Sequence, residues 1–161
     1  MTRRKAVLLA VVTALVAVAA GTGVWSAVYR PGPHFPEISV YSNGHSTRVG
    51  PYLYCNVLNL DDCHSPMTQG ELRASKRHPV QLSVPESIAG APWRLLRIYQ
   101  DPTATADTLF GPNSRRAVTI PTVDPHRGQL TGIVVQLLTL VVDNGGLREV
   151  PHAEWSVALS Y

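Results

Sequence analysis

The residues from Ala6 to Tyr29 form a run without a single formal charge, entered by Arg3, Arg4 and Lys5 and left at Arg30. As a helix, about 24 residues rise roughly 36 Å, enough for a hydrocarbon core of ~30 Å. Nothing so long and apolar fits inside the small domain that follows. The run therefore divides the chain into a basic tip (1–5), an anchor or signal (6–29), a proline-marked stalk (30–36) and one further domain (37–161). Basic residues in front place the start of the chain in the cytoplasm and the rest across the membrane. Two readings of the run stand side by side. As a single-pass anchor it carries Trp25 and Tyr29 where interfacial aromatics sit. As a secretory signal it offers Ala17-Val18-Ala19 as a small-x-small cleavage pattern. The expected location is the cell membrane with the C-terminal domain outside, or the secreted fraction.

About 130 residues remain, the size of one domain with a core of its own. The net charge of +3 is accounted for by Arg3, Arg4 and Lys5, because the other eleven basic residues cancel the eleven acidic ones. No basic surface is left for nucleic acid, and that class of partner is excluded. Cys55 and Cys63 are the two cysteines. An even count in an oxidising compartment implies a disulfide. Closing so short a loop stabilises by about 2–3 kcal/mol, and here it is expected to pin a turn at Asn59 to Asp62.

Beyond the stalk, short alternating runs are cut by proline and glycine. Ile38 and Val40 alternate with Ser39 and Tyr41, and Ser42-Asn43-Gly44 supplies a hairpin turn. Thr47 to Val49 and Tyr52 to Leu58 continue as strand across Gly50-Pro51. From Asp61 to Arg77 the alternation fades, and Ser65 to Leu72 is read as a short helical turn. Val80, Leu82 and Val84 return to period two, Ile88 to Pro92 turns the chain, and Trp93 to Gln100 is a strong strand. Asp101 to Asn113 reads as a long loop with Leu109 and Phe110 tucked against the core. Val118 and Ile120 mark another strand. Leu130 to Val142 is rich in Val, Ile, Leu and Thr, so it is expected to be a central strand bent midway. Asp143 to Gly146 is the clearest turn, and Trp155, Val157 and Leu159 alternate to the end. About seven strands with hardly any helix after the leader predict an all-β fold, an immunoglobulin-like or related antiparallel β-sandwich. Trp93 suits the core tryptophan of such a domain, but Cys55 and Cys63 are too close in sequence to bridge two sheets.

The motifs of catalysis are missing from this sequence. It has no G-x-S-x-G elbow and no glycine loop opening a helix. The acidic pair Asp61-Asp62 and the Asp124-Pro125-His126 triplet read as turn residues. Its six histidines follow no metal-ligand spacing; His45 and His64 with Met67 form the one grouping worth testing for copper or zinc. The expectation is a protein that is not an enzyme and needs no cofactor. It is read as an accessory or structural subunit that uses the bilayer through its N-terminal helix and binds a membrane or envelope protein. Tyr41, Leu109 and Phe110 are the candidate contact residues. The alternative is a carrier or sensor domain for a lipid, peptide or metal ligand.

Taken together, the basic start, the apolar run, Tyr54-Cys55 with Cys63 close behind, V-Q-L-S-V-P-E at Val80 to Glu86, A-P-W at Ala91 to Trp93 and the closing Trp155 strand resemble an uncharacterised family of actinobacterial envelope proteins of the mycobacterial type. The resemblance covers nearly the whole chain. It implies a membrane-anchored or secreted protein and brings no catalytic or ligand-binding residues with it.

Overall fold

A computed structural model describes residues 3–29, 34–143 and 145–161. Most of the stalk (residues 30–33) and Asn144 in the last turn lie outside the described residues. The chain divides into two compact units after His34. The first is a helix, α1 (Arg3–Tyr29). Its described side chains are exposed, among them Val7, Leu8, Val11, Val12, Leu15 and Val16. The Thr22 hydroxyl donates back to the carbonyls of Val18 and Ala19 at 3.0 and 3.1 Å, so it is satisfied within the helix. Among the described residues, which leave out the side chains of Ala6, Leu9, Ala10 and 26–29, no helix is long and apolar enough to cross a membrane.

The second unit is an all-β sandwich. Its elements in chain order are β1 (Ile38–Ser42), β2 (His45–Val49), β3 (Leu53–Asn56), β4 (Asn59–His64), β5 (Gln69–Arg73) and β6 (Val80–Ser83), then the single helical turn α2 (Glu86–Ala89) and β7 (Trp93–Tyr99). After a 3₁₀ turn at Pro102–Ala104 come β8 (Ala106–Phe110), β9 (Ala117–Ile120), β10 (Val123–Asp124), β11 (Gly128–Asp143) and β12 (Gly146–Ser160). One sheet has the order β2-β1-β6-β9, all antiparallel. The larger one runs β4-β3-β12-β11-β7-β8, with β10 paired to β11 and β5 paired to β12. The pairing of β5 with β12 is parallel, so the fold departs there from a purely antiparallel sandwich.

Period two explains which side chains meet in the middle. From the small sheet come Ile38, Val40, Val49, Val80, Leu82 and Ile120; from the large one come Trp93, Leu95, Ile133, Val135, Trp155 and Val157. Leu95, Val135 and Trp155 form one cross-strand row, and Trp93, Leu137 and Ala153 the next. Trp155 Nε1 donates to the Pro36 carbonyl at 2.8 Å, which ties the start of the domain to its last strand. Gly70 on β5 lies against Val49 on β2; a Cβ there would overlap Val49 Cγ2. The absent side chain is what lets the two sheets approach at this point.

Several expected elements take a different form. The turn of the disulfide-clipped hairpin is Val57-Leu58, and Asn59 to Asp62 belongs to β4. The amide N–H of Leu58 bonds Asn56 Oδ1 at 3.0 Å, so the asparagine closes a turn whose two apolar residues read as strand in the sequence. Ser65 to Leu72 contains no helical turn; Gln69–Arg73 is a strand with Gly70 and Leu72 facing inward. Its one large apolar residue gave alternation too little to register. The Asp101 to Asn113 stretch is only partly loop, because Ala106–Phe110 forms the edge strand β8 along β7. The Asn43-Gly44 hairpin has positive φ at both residues, as its sequence requires. β11 spans the expected long strand and shifts register at Leu130/Gly132 and at Leu137/Leu138.

Candidate functional site

Two surfaces of the sandwich stand out, and both depend on how β12 is built. Proline at position 151 supplies no ladder donor, and the register slips there: Leu137 faces Ala153 while Leu138 faces Pro151, leaving His152 as the extra residue. On one side of this bulge β12 lies within the sheet. On the other, β11 and β12 run on as a two-stranded arm. The partners of the flanking strands stop at Trp93↔Leu137 and Tyr54↔Ala153; β11 and β12 pair on from Leu138↔Pro151 to Asp143↔Gly146, with the Leu138 N–H still bonded to the Pro92 carbonyl at 3.0 Å. Leu140, Val142 and Leu147 share one face of the arm and are 61 %, 76 % and 73 % exposed. At the base of that face Arg94 bonds Glu149 at 3.0 Å, beside a hollow of about 400 Å³ lined by Pro92, Leu138, Thr139, Leu140 and Glu149.

The second surface is an open cleft of about 350 Å³ beside the disulfide. The antiparallel pairing of β3 and β4 sets His64 opposite Tyr54 and Cys63 opposite Cys55. Cys55 and Cys63 are bonded to each other, as the cysteine count predicts, within one sheet and not between two. Phe35 lies over the hairpin, its ring centroid 4.9 Å from Tyr54 and 5.4 Å from His64. His152, turned inward by the bulge, stands edge-on to Tyr54 at 6.2 Å with Nδ1 3.2 Å from the Cys55 carbonyl. A carbonyl only accepts, so Nδ1 carries the hydrogen and a neutral imidazole leaves Nε2 as an acceptor. Asn56, Val57 and Asp62 complete the lining.

The structure scatters the residues singled out from sequence. Tyr41 is on β1 of the small sheet, 44 % exposed, its hydroxyl accepting from Gly44 N–H at 3.1 Å. Leu109 and Phe110 are on β8 of the large sheet; Leu109 is 48 % exposed, and Phe110 stacks on Trp93 at 4.3 Å. His45 belongs to β2 and His64 to β4, in different sheets, and Met67 is an exposed loop residue with positive φ. Among the described residues no group of three or more His, Cys, Asp or Glu side chains is placed to hold a metal. The carboxyls with shifted pKa lie in turns: Thr103 hydrogen bonds hold Asp101 low, and the His126 backbone N–H leads those that hold Asp124 low. Burial raises Tyr161, whose hydroxyl donates to the Leu130 carbonyl at 2.7 Å. The hydrogen bonds behind the two lowered carboxyls are bonds within turns, and Tyr161 is the last residue of the chain. Sequence reasoning missed Leu140, Val142, Leu147, Phe35 and His152. Pro151 inside a strand was the signal for the last.

Residues 31–160 match the model of a family described as a protein of unknown function (DUF2771). The chain belongs to this family. Over 162 residues it is 65 % identical to the uncharacterized protein Rv0875c of Mycobacterium tuberculosis (strain ATCC 25618 / H37Rv) and equally to the uncharacterized protein Mb0899c of Mycobacterium bovis (strain ATCC BAA-935 / AF2122/97), with all of both chains covered in each case. The resemblance holds at the level of an uncharacterised mycobacterial-type family. No solved structure matches the chain.

Proposed function

We propose that this chain is a non-enzymatic accessory protein of the cell envelope, held to the membrane by its N-terminal helix and binding a membrane or envelope protein. The single observation that carries the reading is the exposed arm. A two-stranded ribbon has no core of its own, and Leu140, Val142 and Leu147 on one face are large apolar groups left in water. A protein partner that covers this face removes that cost. The anchor part of the reading rests on the charge-free run from Ala6 to Tyr29 behind three basic residues and on the exposure of the described apolar side chains within it. The disulfide supports an oxidising compartment outside the membrane.

The test is site-specific photocrosslinking in intact cells of the native host, with the crosslinker placed at Leu140, Val142, Tyr41 or Leu109 in the full-length chain. The expected result is one protein adduct from Leu140 and Val142, found in the membrane fraction and absent from Tyr41 and Leu109. Adducts of equal yield from all four positions overturn the arm as the contact surface. Recovery of a shortened chain in the medium overturns the anchor.

A further inference from the structure

We infer that the cleft beside the disulfide binds a neutral sugar ring, a ligand site separate from the arm; the site rests on the cleft alone, and the membrane setting of its test rests on the proposed anchor. Its volume, about 350 Å³, lies at the small end of the range of roughly 300–1,000 Å³ typical of ligand pockets. Phe35 and Tyr54 pack against each other at 4.9 Å with planes tilted by 41°, so no slot opens between them, and together they present one apolar platform. A sugar ring offers the matching surface, a face of C–H groups, while its hydroxyls lie around the rim as both donors and acceptors. The polar groups lining the cleft suit that rim. His152 Nε2 accepts once Nδ1 is committed to the Cys55 carbonyl. The Asn56 Oδ1 is taken by the Leu58 N–H, which leaves its amide N–H groups to donate. Asp62 accepts, and His64 supplies a further ring nitrogen.

Other ligand classes fit less well. Among the described residues no Lys or Arg lines the cleft, and Asp62 does, so an anion finds no partner among them. An organic cation gains Asp62 and one aromatic face, but it needs rings spread around it, and the tilted contact of Phe35 with Tyr54 closes that arrangement. An acyl chain leaves the two imidazoles, the amide and the carboxylate without partners.

The experiment uses the full chain in phosphatidylcholine nanodiscs, free of glycosidic detergent, with the imidazole resonances of His64 and His152 followed by NMR. The probes are the methyl glycosides of glucose, galactose and mannose, cellobiose, and benzyltrimethylammonium. At least one neutral sugar is expected to shift both imidazoles saturably in the millimolar range, while the cation does not. Phe35→Ala is expected to weaken that sugar at least tenfold, and the exposed Asp62→Asn several-fold, with the other histidine resonances unchanged as the check on folding. Nanodiscs doped with a glycosyl diacylglycerol decide the source. Stronger perturbation than by the free sugar assigns the ligand to a lipid headgroup, and equal perturbation assigns it to a soluble glycan. A response to benzyltrimethylammonium alone, silence toward every probe, or full sugar binding in both variants overturns the inference.

Discussion

Leu138 and Leu140 lie two residues apart on one face of one strand, and the first is 4 % exposed while the second is 61 % exposed. The residues around them are of the same kind. In the body of the hairpin Ile133, Val135 and Leu137 face the small sheet across the core, and β7 and β3 extend the ladder on either side. Leu138, Leu140 and Val142 lie on the opposite face, which is covered beside Pro92 at Leu138 and meets water beyond it, where both flanking strands have ended. Alternation therefore decides which face a side chain is on, and whether neighbouring chain lies against that face decides what it is worth. Large apolar side chains left in water at such positions are the ground on which a covering partner is proposed.

The largest way to break the comparison is inside the body. Trp155 is fully buried, packs edge-on against Tyr54 and donates to the Pro36 carbonyl. Trp155→Ala is expected to lower stability by about 3–5 kcal/mol, from the cavity and the orphaned carbonyl together. Urea denaturation of the full chain in nanodiscs measures it. Next comes the hairpin of β3 and β4, in which β4 is the edge strand and pairs with β3 alone among the described residues. Replacing both cysteines by serine is expected to remove about 2–3 kcal/mol, because the bond closes a short loop in the unfolded chain.

Gly70→Ala sharpens the contrast between a contact with a layer opposite it and one without. The new methyl group overlaps Val49 on the other sheet, and a β-branched neighbour has little freedom to yield. A loss of about 1–3 kcal/mol is expected. In a double-mutant cycle, Gly70→Ala combined with Val49→Ala is expected to cost less than the sum of the two single changes, since each relieves the other. In the arm, Leu140→Ser, Val142→Ser and Leu147→Ser are expected to change stability by about 0.5 kcal/mol or less at each site. With the crosslinker at Val142, Leu140→Ser and Leu147→Ser are expected to weaken the adduct. A large stability loss there would show that the arm is covered within the chain itself.

The sequence made the body of this molecule legible for a physical reason. Where a strand has one wet and one dry face, as in Val80 to Val84 or Trp155 to Leu159, polar and apolar residues must alternate, and they do. β5 escaped because Gly70 is an inward residue with no side chain to announce it, and its burial is set by Val49 on a strand more than twenty residues earlier. The Val57-Leu58 turn escaped because two apolar residues stand where turn formers are usual, and the turn is closed by the Asn56 side chain. The candidate sites were less legible still. The cleft joins Phe35, Tyr54, His64 and His152, which are brought together by strand register and one bulge. No spacing in the chain encodes that meeting. The arm is hidden in the longest apolar run after the leader, because burial of its first half and exposure of its second depend on where the neighbouring strands end.

The smallest expected effect concerns the opposite end of β11, where the strand starts from a tight turn. Asp124 Oδ1 accepts from the backbone N–H groups of His126 and Arg127 at 2.9 and 3.0 Å, and Oδ2 accepts from the Arg127 guanidinium at 3.3 Å. These bonds favour the carboxylate, with the His126 N–H first among them, and hold its pKa below the ordinary value. A group whose pKa is lower in the folded than in the unfolded chain stabilises the fold at any pH above the unfolded value. That contribution fades as pH falls through the folded value. Asp124→Asn keeps an oxygen in place for the two N–H groups and removes the charge. The variant is therefore expected to melt slightly below the parent at neutral pH, and the two melting curves are expected to converge on acidification below the normal Asp range. Melting of both chains in nanodiscs from pH 7 downward reads this directly. A gap that persists unchanged into strong acid would mean that the turn is held by the shape of the side chain and not by its charge, and that the two ends of β11 differ in packing alone.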